Sequence, residues 1–127
     1  MNEWCFCGNQ LAFSQCCKPY LEAKAYPETP EQLMRSRYTA YALGGHGEYL
    51  LKTWFPPMAK TLSVSELSEK THQWINLDVL GSGRKDTEGW VEFKATYQEK
   101  NTKSILHEKS VFTCIGHQWF YIGGEIK

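Results

Sequence analysis

The chain has 127 residues, with fourteen Lys and Arg against fourteen Asp and Glu, so its formal net charge is zero. That length allows one domain with a small appendage, and the charge balance argues against nucleic acid as a partner, because phosphate binding needs a concentrated basic face. No apolar run approaches about eighteen residues, which excludes a membrane-spanning helix.

Four of the five cysteines fall at the start of the chain, in Cys5-Phe6-Cys7-Gly8 and in Cys16-Cys17. Two close pairs separated by a short loop are a metal-ligand spacing, since a closed zinc site takes four thiolates at the corners of a tetrahedron. Gly8 lets the backbone turn sharply behind the first pair. Between the pairs only Leu11, Ala12 and Phe13 are apolar, so the ion is expected to supply most of the segment's folding free energy. A redox pair or structural disulfides are the rivals. The start of the chain lacks the basic residues and apolar run of a secretion signal, so a cytoplasmic location is expected, where close cysteine pairs bind metal more often than they form disulfides.

Pro19 to Pro30 reads as a linker, interrupted by Pro27. Thr29-Pro30-Glu31-Gln32 then opens a helix, with a capping hydroxyl, proline at the first position and glutamine where a capping box wants it. The helix is expected from about Pro30 to Leu43, stopping at Gly44-Gly45. Its apolar stripe is Leu33, Met34, Tyr38, Tyr41 and Ala42, with Arg37 at the stripe's edge and Arg35 on another side. A second helix is expected from Glu48 to Trp54, ended by Pro56-Pro57. A third should start near Ser63 or Ser65 and carry Leu67, Thr71, Trp74 and Ile75.

From Ile75 the apolar period shortens to two, with Ile75, Leu77 and Val79 on one face and a turn beginning at Gly81-Ser82-Gly83. Val91, Phe93, Ala95 and Tyr97 alternate with polar residues in the cleanest half-buried strand. After a turn at Glu99 to Thr102, a strand from about Lys103 to Ile115 and a tight turn at Gly116-His117 lead to a last strand from Gln118 to Ile126. Helices first and an antiparallel meander second give an α+β domain, three helices packed on a curved sheet. The expected division is a zinc-binding segment over residues 1–20 and the α+β domain over residues 28–127.

On the long strand both faces are mixed. If the face with Leu106 and Phe112 meets the helices, Glu108 and Ser110 lie inside, and a buried carboxylate needs a partner. Arg37 is the partner expected. Arg37, Glu108, Tyr41 and Ser110 then form either a structural ion pair or the polar wall of a pocket. No nucleophile and base stand out as a catalytic set: His46 and His117 sit in turns, His72 and His107 lack a neighbouring partner motif, and Cys114 reads as a small core residue.

The stretch from Cys5 to Cys17 resembles the SEC-C zinc motif of the SecA translocation ATPase. Leu33-Met34-Arg35-Ser36-Arg37-Tyr38, Lys52-Thr53-Trp54, Glu108-Lys109-Ser110-Val111-Phe112 and Trp119-Phe120-Tyr121-Ile122-Gly123-Gly124 together resemble the YchJ family of bacterial proteins. The resemblance implies a zinc segment held by Cys5, Cys7, Cys16 and Cys17, followed by a domain similar to nuclear transport factor two, a cone of three helices on a curved sheet. Phe6 stands where such motifs often have proline. Phe55 stands where relatives often have histidine, which weakens a general base there. Longer relatives carry a second zinc segment at the C-terminus, and this chain reaches Lys127 without one.

In SecA the similar segment docks other proteins. By that analogy the expected function is a non-enzymatic interaction module, with Phe6, Leu11, Phe13 and Lys18 meeting a protein partner. The alternative is a small-molecule binder or enzyme working in the cone, where Arg37 would hold an anion and Glu108 would act as acid or base. RNA or ribosome binding through the zinc segment is the weakest reading, given zero net charge.

Overall fold

The computed structural model describes residues 4–127; the first three residues of the expected 1–20 segment lie outside the described residues. Its α-helices are α1 (Lys18–Leu21), α2 (Pro30–Leu43), α3 (Gly47–Lys52) and α4 (Val64–Ser68), followed by strands β1 (Gln73–Lys85), β2 (Glu88–Glu99), β3 (Thr102–Ile115) and β4 (Gln118–Ile126). The strands form one antiparallel sheet in the order β1-β2-β3-β4, so the fold is α+β.

Local chemistry sets the start of α2. The Thr29 side chain accepts a hydrogen bond from the Gln32 amide at 3.1 Å, Pro30 occupies the first helical turn, and Gln32 Oε1 reaches back to accept from the Glu28 amide at 2.7 Å. Gly44, at φ +75°, ends the helix in a conformation that suits glycine. The helix is not amphipathic, however. Pro30, Leu33, Met34, Ser36, Arg37, Tyr38, Thr39, Ala40 and Ala42 are all buried. The expected stripe accounts for the side toward the sheet. The small residues account for the rest: α3 packs through Tyr49, whose hydroxyl lies 2.6 Å from Ser36 Oγ, and the cysteine segment packs on Thr39.

The inner face of the sheet carries Leu77, Val91, Phe93, Ala95, Ser110 and Phe112, all buried. Leu33, Leu50, Val91 and Phe112 are fully enclosed, each contributing roughly 1.5–3 kcal/mol of apolar burial. Buried Cys5, Cys7 and Cys17 join this same core. The cysteine loop is therefore held by α2 as well as by whatever its sulfurs bind, which the three apolar residues between the pairs did not suggest.

Several elements depart from expectation. The stretch after the cysteines is not a free linker: it forms α1, and the Glu28 carbonyl accepts from Trp119 Nε1 at 3.2 Å. The third helix ends at Ser68, leaving His72 and Trp74 at the start of the sheet and not on a helix. β1 runs straight through Gly81-Ser82-Gly83. Gly83 is there for close approach and not for a turn, since a Cβ on it would lie 2.6 Å from Trp90 Nε1. A register shift between Trp74 and Asn76 turns Ile75 away from the face of Leu77, leaving it exposed.

Thr29→Ala should lower stability by about 1 kcal/mol by removing the cap on α2. Urea denaturation would read this as an earlier midpoint at unchanged slope; an unmoved midpoint would mean that the cap contributes nothing.

Candidate functional site

Cys5, Cys7, Cys16 and Cys17 come together, their four sulfurs all within 4.8 Å of one another. Gly8, at φ +78°, makes the turn after the first pair, and the Cys5 amide donates to the Leu11 carbonyl at 2.8 Å, closing the loop. The Cys7 and Cys16 sulfurs are 3.5 Å apart and those of Cys16 and Cys17 3.9 Å. A tetrahedral ion with metal–sulfur bonds of ~2.3 Å needs sulfur separations of ~3.8 Å, so the cluster fits a soft divalent metal.

Two residues of α2 support this centre, one turn apart on the side where the stripe does not lie. Arg35 Nη1 donates to the Cys7 carbonyl at 2.6 Å, and its Nε pairs with Glu31 at 2.9 Å. Thr39 Oγ1 lies 3.4 Å from Cys17 Sγ and 3.8 Å from Cys5 Sγ, and its single proton is divided between Cys17 and the Arg35 carbonyl at 3.1 Å. The thiols also polarise each other. Hydrogen bonds from Cys17 and Cys7 draw the Cys5 thiol well below its ordinary pKa, the contact with Cys5 pushes Cys17 well above it, and burial pushes Cys16 up to about 12. A cation is what would let all four become thiolates.

On the opposite side of α2 lies a cavity of about 330 Å³, walled by Met34, Tyr38, Tyr41, Trp54, Trp74, Phe93, Leu106 and Phe112 among others. Its polar groups are Arg37, Glu108, Ser110 and Tyr121, with exposed Thr71 and His72 reaching the surface. All four residues singled out from sequence, Arg37, Glu108, Tyr41 and Ser110, line it.

The direct Arg37–Glu108 ion pair is not formed. Among the described residues no carboxylate lies within ion-pair distance of Arg37. The guanidinium, only 5% exposed, donates from Nη1 to the Leu50 carbonyl at 2.8 Å and to Thr53 Oγ1 at 2.7 Å. It rests in the corner of two rings, 4.7 Å from the centroid of Trp54 and 4.6 Å from that of Tyr121. These rings offer a cation the electrostatic partner that a carboxylate would otherwise supply. Glu108 is satisfied separately: its Oε2 accepts from Ser110 Oγ at 2.5 Å and from the Tyr121 hydroxyl at 3.1 Å. Tyr121 therefore sits between the two charges.

Burial lowers the Arg37 pKa from its ordinary value, although guanidinium stays charged at any ordinary pH. Burial likewise raises the Tyr41 and Tyr121 phenols, with Glu108 adding to the effect at Tyr121, so both remain protonated. The Tyr121 hydroxyl is thus a donor to the Glu108 carboxylate.

Sequence reasoning missed Arg35, Thr39, Thr53, Trp54, Trp74 and Tyr121. Arg35 and Thr39 had a usable signal, since positions i and i+4 share a helix face. Gly124 had none. A Cβ there would collide with Glu108 Oε2, so the bare backbone of β4 is what leaves room for that carboxylate.

Residues 29–124 match the family described as "YchJ, middle NTF2-like domain". The chain belongs to the YchJ family. It is 38% identical to a UPF0225 protein of Photorhabdus laumondii over 98% of this chain and 81% of that protein, and 38% identical to one of Serratia proteamaculans over 98% and 84%. A SEC-C motif-containing protein of Rhodopseudomonas palustris shares the fold at a TM-score of 0.89 and 32% identity, covering 97% of this chain and 98% of that one. A sec-c motif-containing protein from Psychrobacter arcticus shares the fold at a TM-score of 0.84 and 24% identity, over 98% and 83%.

Thr39→Val keeps the shape of the side chain but removes the hydroxyl that lies against Cys17 and Cys5, and should weaken the affinity for an added zinc ion by up to about tenfold. Competition with a chromophoric chelator measures this; unchanged affinity would leave Thr39 a packing residue only.

Proposed function

We propose that this protein is a zinc-stabilised binder of a small molecule, with the cavity at Arg37 and Glu108 as its working site and the cysteine centre as structural support. Residues 1–20 form the zinc segment in this reading, and residues 28–127 the domain whose three helices close a curved sheet into a cone. Cys5, Cys7, Cys16 and Cys17 hold the ion. Four thiolates leave no open coordination position, which suits a structural rather than a catalytic metal, and a reducing cytoplasm keeps such thiolates available. The solved relatives whose names carry the SEC-C motif support the metal assignment.

The observation that carries the binding role is the cavity, about 330 Å³ around a buried arginine. That volume falls in the range of small-ligand sites, and its mix of aromatic walls with a few convergent polar groups is their usual composition. Glu108 inside the cavity and His72 at its mouth are groups able to exchange a proton with a bound molecule.

Protein purified without chelators should carry one zinc per chain by elemental analysis; no stoichiometric zinc would overturn the metal assignment. The cavity is tested by filling it. Anilinonaphthalene sulfonate should fluoresce with the folded protein and lose that signal with Leu106→Trp, near-UV circular dichroism confirming an intact fold. Equal dye binding by the filled variant overturns the cavity role.

A second reading is favoured by one observation. Trp4, Phe6 and Leu11 are 69%, 53% and 45% exposed, on a loop closed by a bridge between Trp4 and Ala12. Phe13 instead packs on the core and Lys18 is exposed. These apolar residues suit the docking of a protein partner on the metal-held loop. Phe6→Ser with Leu11→Ser should then release the partner at unchanged zinc content, and a partner that stays on the metal-free Cys16→Ser, Cys17→Ser variant overturns this reading.

A further inference from the structure

We infer that the cavity is built for a small aromatic carboxylate that carries a hydrogen-bond donor about one ring away from its carboxyl group. This deepens, and rests on, the reading of the cavity as a binding site. The bonds from Arg37 to the Leu50 carbonyl and to Thr53 leave from Nη1, and the Tyr41 phenol stands close enough to the guanidinium to interact with it. No enclosed side-chain nitrogen or oxygen among the described residues lacks a partner, so Nε and Nη2 keep accessible surface, and Arg37 lines the cavity. Those two nitrogens form one edge of the guanidinium fork, whose geometry matches a carboxylate bidentately. A buried cation with a free donor edge, and with rings in place of a counter-ion, is an anion site.

The second pole is Glu108. Its Oε2 takes both protein donors, Ser110 and Tyr121, leaving Oε1 free to accept from a hydroxyl or amine. The spacing between the poles is set by Tyr121. Arg37 lies against the face of its ring, and Glu108 lies at its hydroxyl. A ligand that meets both therefore places its carboxylate and its donor about one phenol ring apart. The walls between are aromatic, with Trp54 and Trp74 among them, and a flat ring packs there by stacking or edge contacts.

The test uses the full-length zinc-loaded protein and three probes followed by tryptophan fluorescence and calorimetry: 4-hydroxybenzoate, benzoate and 4-hydroxybenzyl alcohol. 4-Hydroxybenzoate should bind about tenfold or more tightly than the neutral alcohol, the effect expected for hydrogen bonds to a charged group. Arg37→Lys keeps the charge but loses the fork, and should remove most of that preference. Gly124→Ala displaces the Glu108 carboxylate and should remove the preference for 4-hydroxybenzoate over benzoate. Because Arg37 is buried, the comparison of probes on the unaltered protein decides the matter even where the variant fails to fold. If the alcohol binds as well as the carboxylates, or the dye binds but no aromatic carboxylate does at millimolar concentration, the ligand class is wrong while the cavity reading stands. If neither dye nor probe binds, the cavity reading itself falls.

Discussion

A helix buried on every side must satisfy different chemistry on each, and α2 is the constraint on which this structure depends. Most helices of a small domain show one apolar stripe to the core and a polar face to water. Here Met34, Tyr38 and Tyr41 look into the cavity, Ser36 meets Tyr49 of α3, and Arg35 and Thr39 meet the cysteine loop. Covering the third side is the job of residues 4–17, a loop too short and too polar to form a core of its own. Drawing four sulfurs together gives that loop one shape. Its buried cysteines then serve as the apolar cover that α2 lacks.

This arrangement couples the two sites through rigid backbone. Arg35 and Arg37 are two residues apart on one helix and point to opposite sides, one to the Cys7 carbonyl and the other to the cavity. Anything that loosens the cysteine loop disturbs the packing on Thr39, which is fully buried against two of its sulfurs, in the segment that aims Arg37. The cysteine cluster can thus bear on how well the cavity is formed without lining it.

Much of this was legible in the sequence. Capping residues and glycines marked both ends of α2, period-two alternation marked β2, and Gly116-His117 marked the final hairpin, with His117 at φ +67°. The inner face of β3 is the one with Leu106 and Phe112, as packing against the helices required. What could not be read depended on pairing across the chain. Nothing local distinguishes a glycine that turns a strand from one that makes room for a tryptophan in the next, as at Gly83. The Arg37–Glu108 ion pair failed for a related reason. Counting charges found the two ionic groups inside, but the rings of Trp54 and Tyr121 reach Arg37 from residues seventeen and eighty-four positions away in the chain, and no single-segment pattern reports such a meeting.

The short motifs that carried the family resemblance acquire a common physical meaning once they are placed in space. Leu33 to Tyr38 supplies Arg35 to one site and Met34, Arg37 and Tyr38 to the other. Lys52-Thr53-Trp54 supplies the Thr53 acceptor for Arg37 and the indole beside it. That stretch is pinned to β4 by reciprocal backbone bonds, Tyr121 amide to Thr53 carbonyl and Phe55 amide to Tyr121 carbonyl, both 2.8 Å. The β3 motif brings Glu108 and Ser110, and the β4 motif brings Tyr121 together with the glycine that leaves space for Glu108. A domain that needed only to pack could fill this interior with hydrocarbon, because replacing buried charged groups by apolar ones of similar volume is often neutral or stabilising. Separate segments instead converge to seat one guanidinium on the rings of Trp54 and Tyr121 beside the cavity, with Glu108 beyond Tyr121. Polar groups gathered at the wall of an aromatic cavity are the usual composition of a ligand site, and that is the physical reason behind the proposal that the cavity is one.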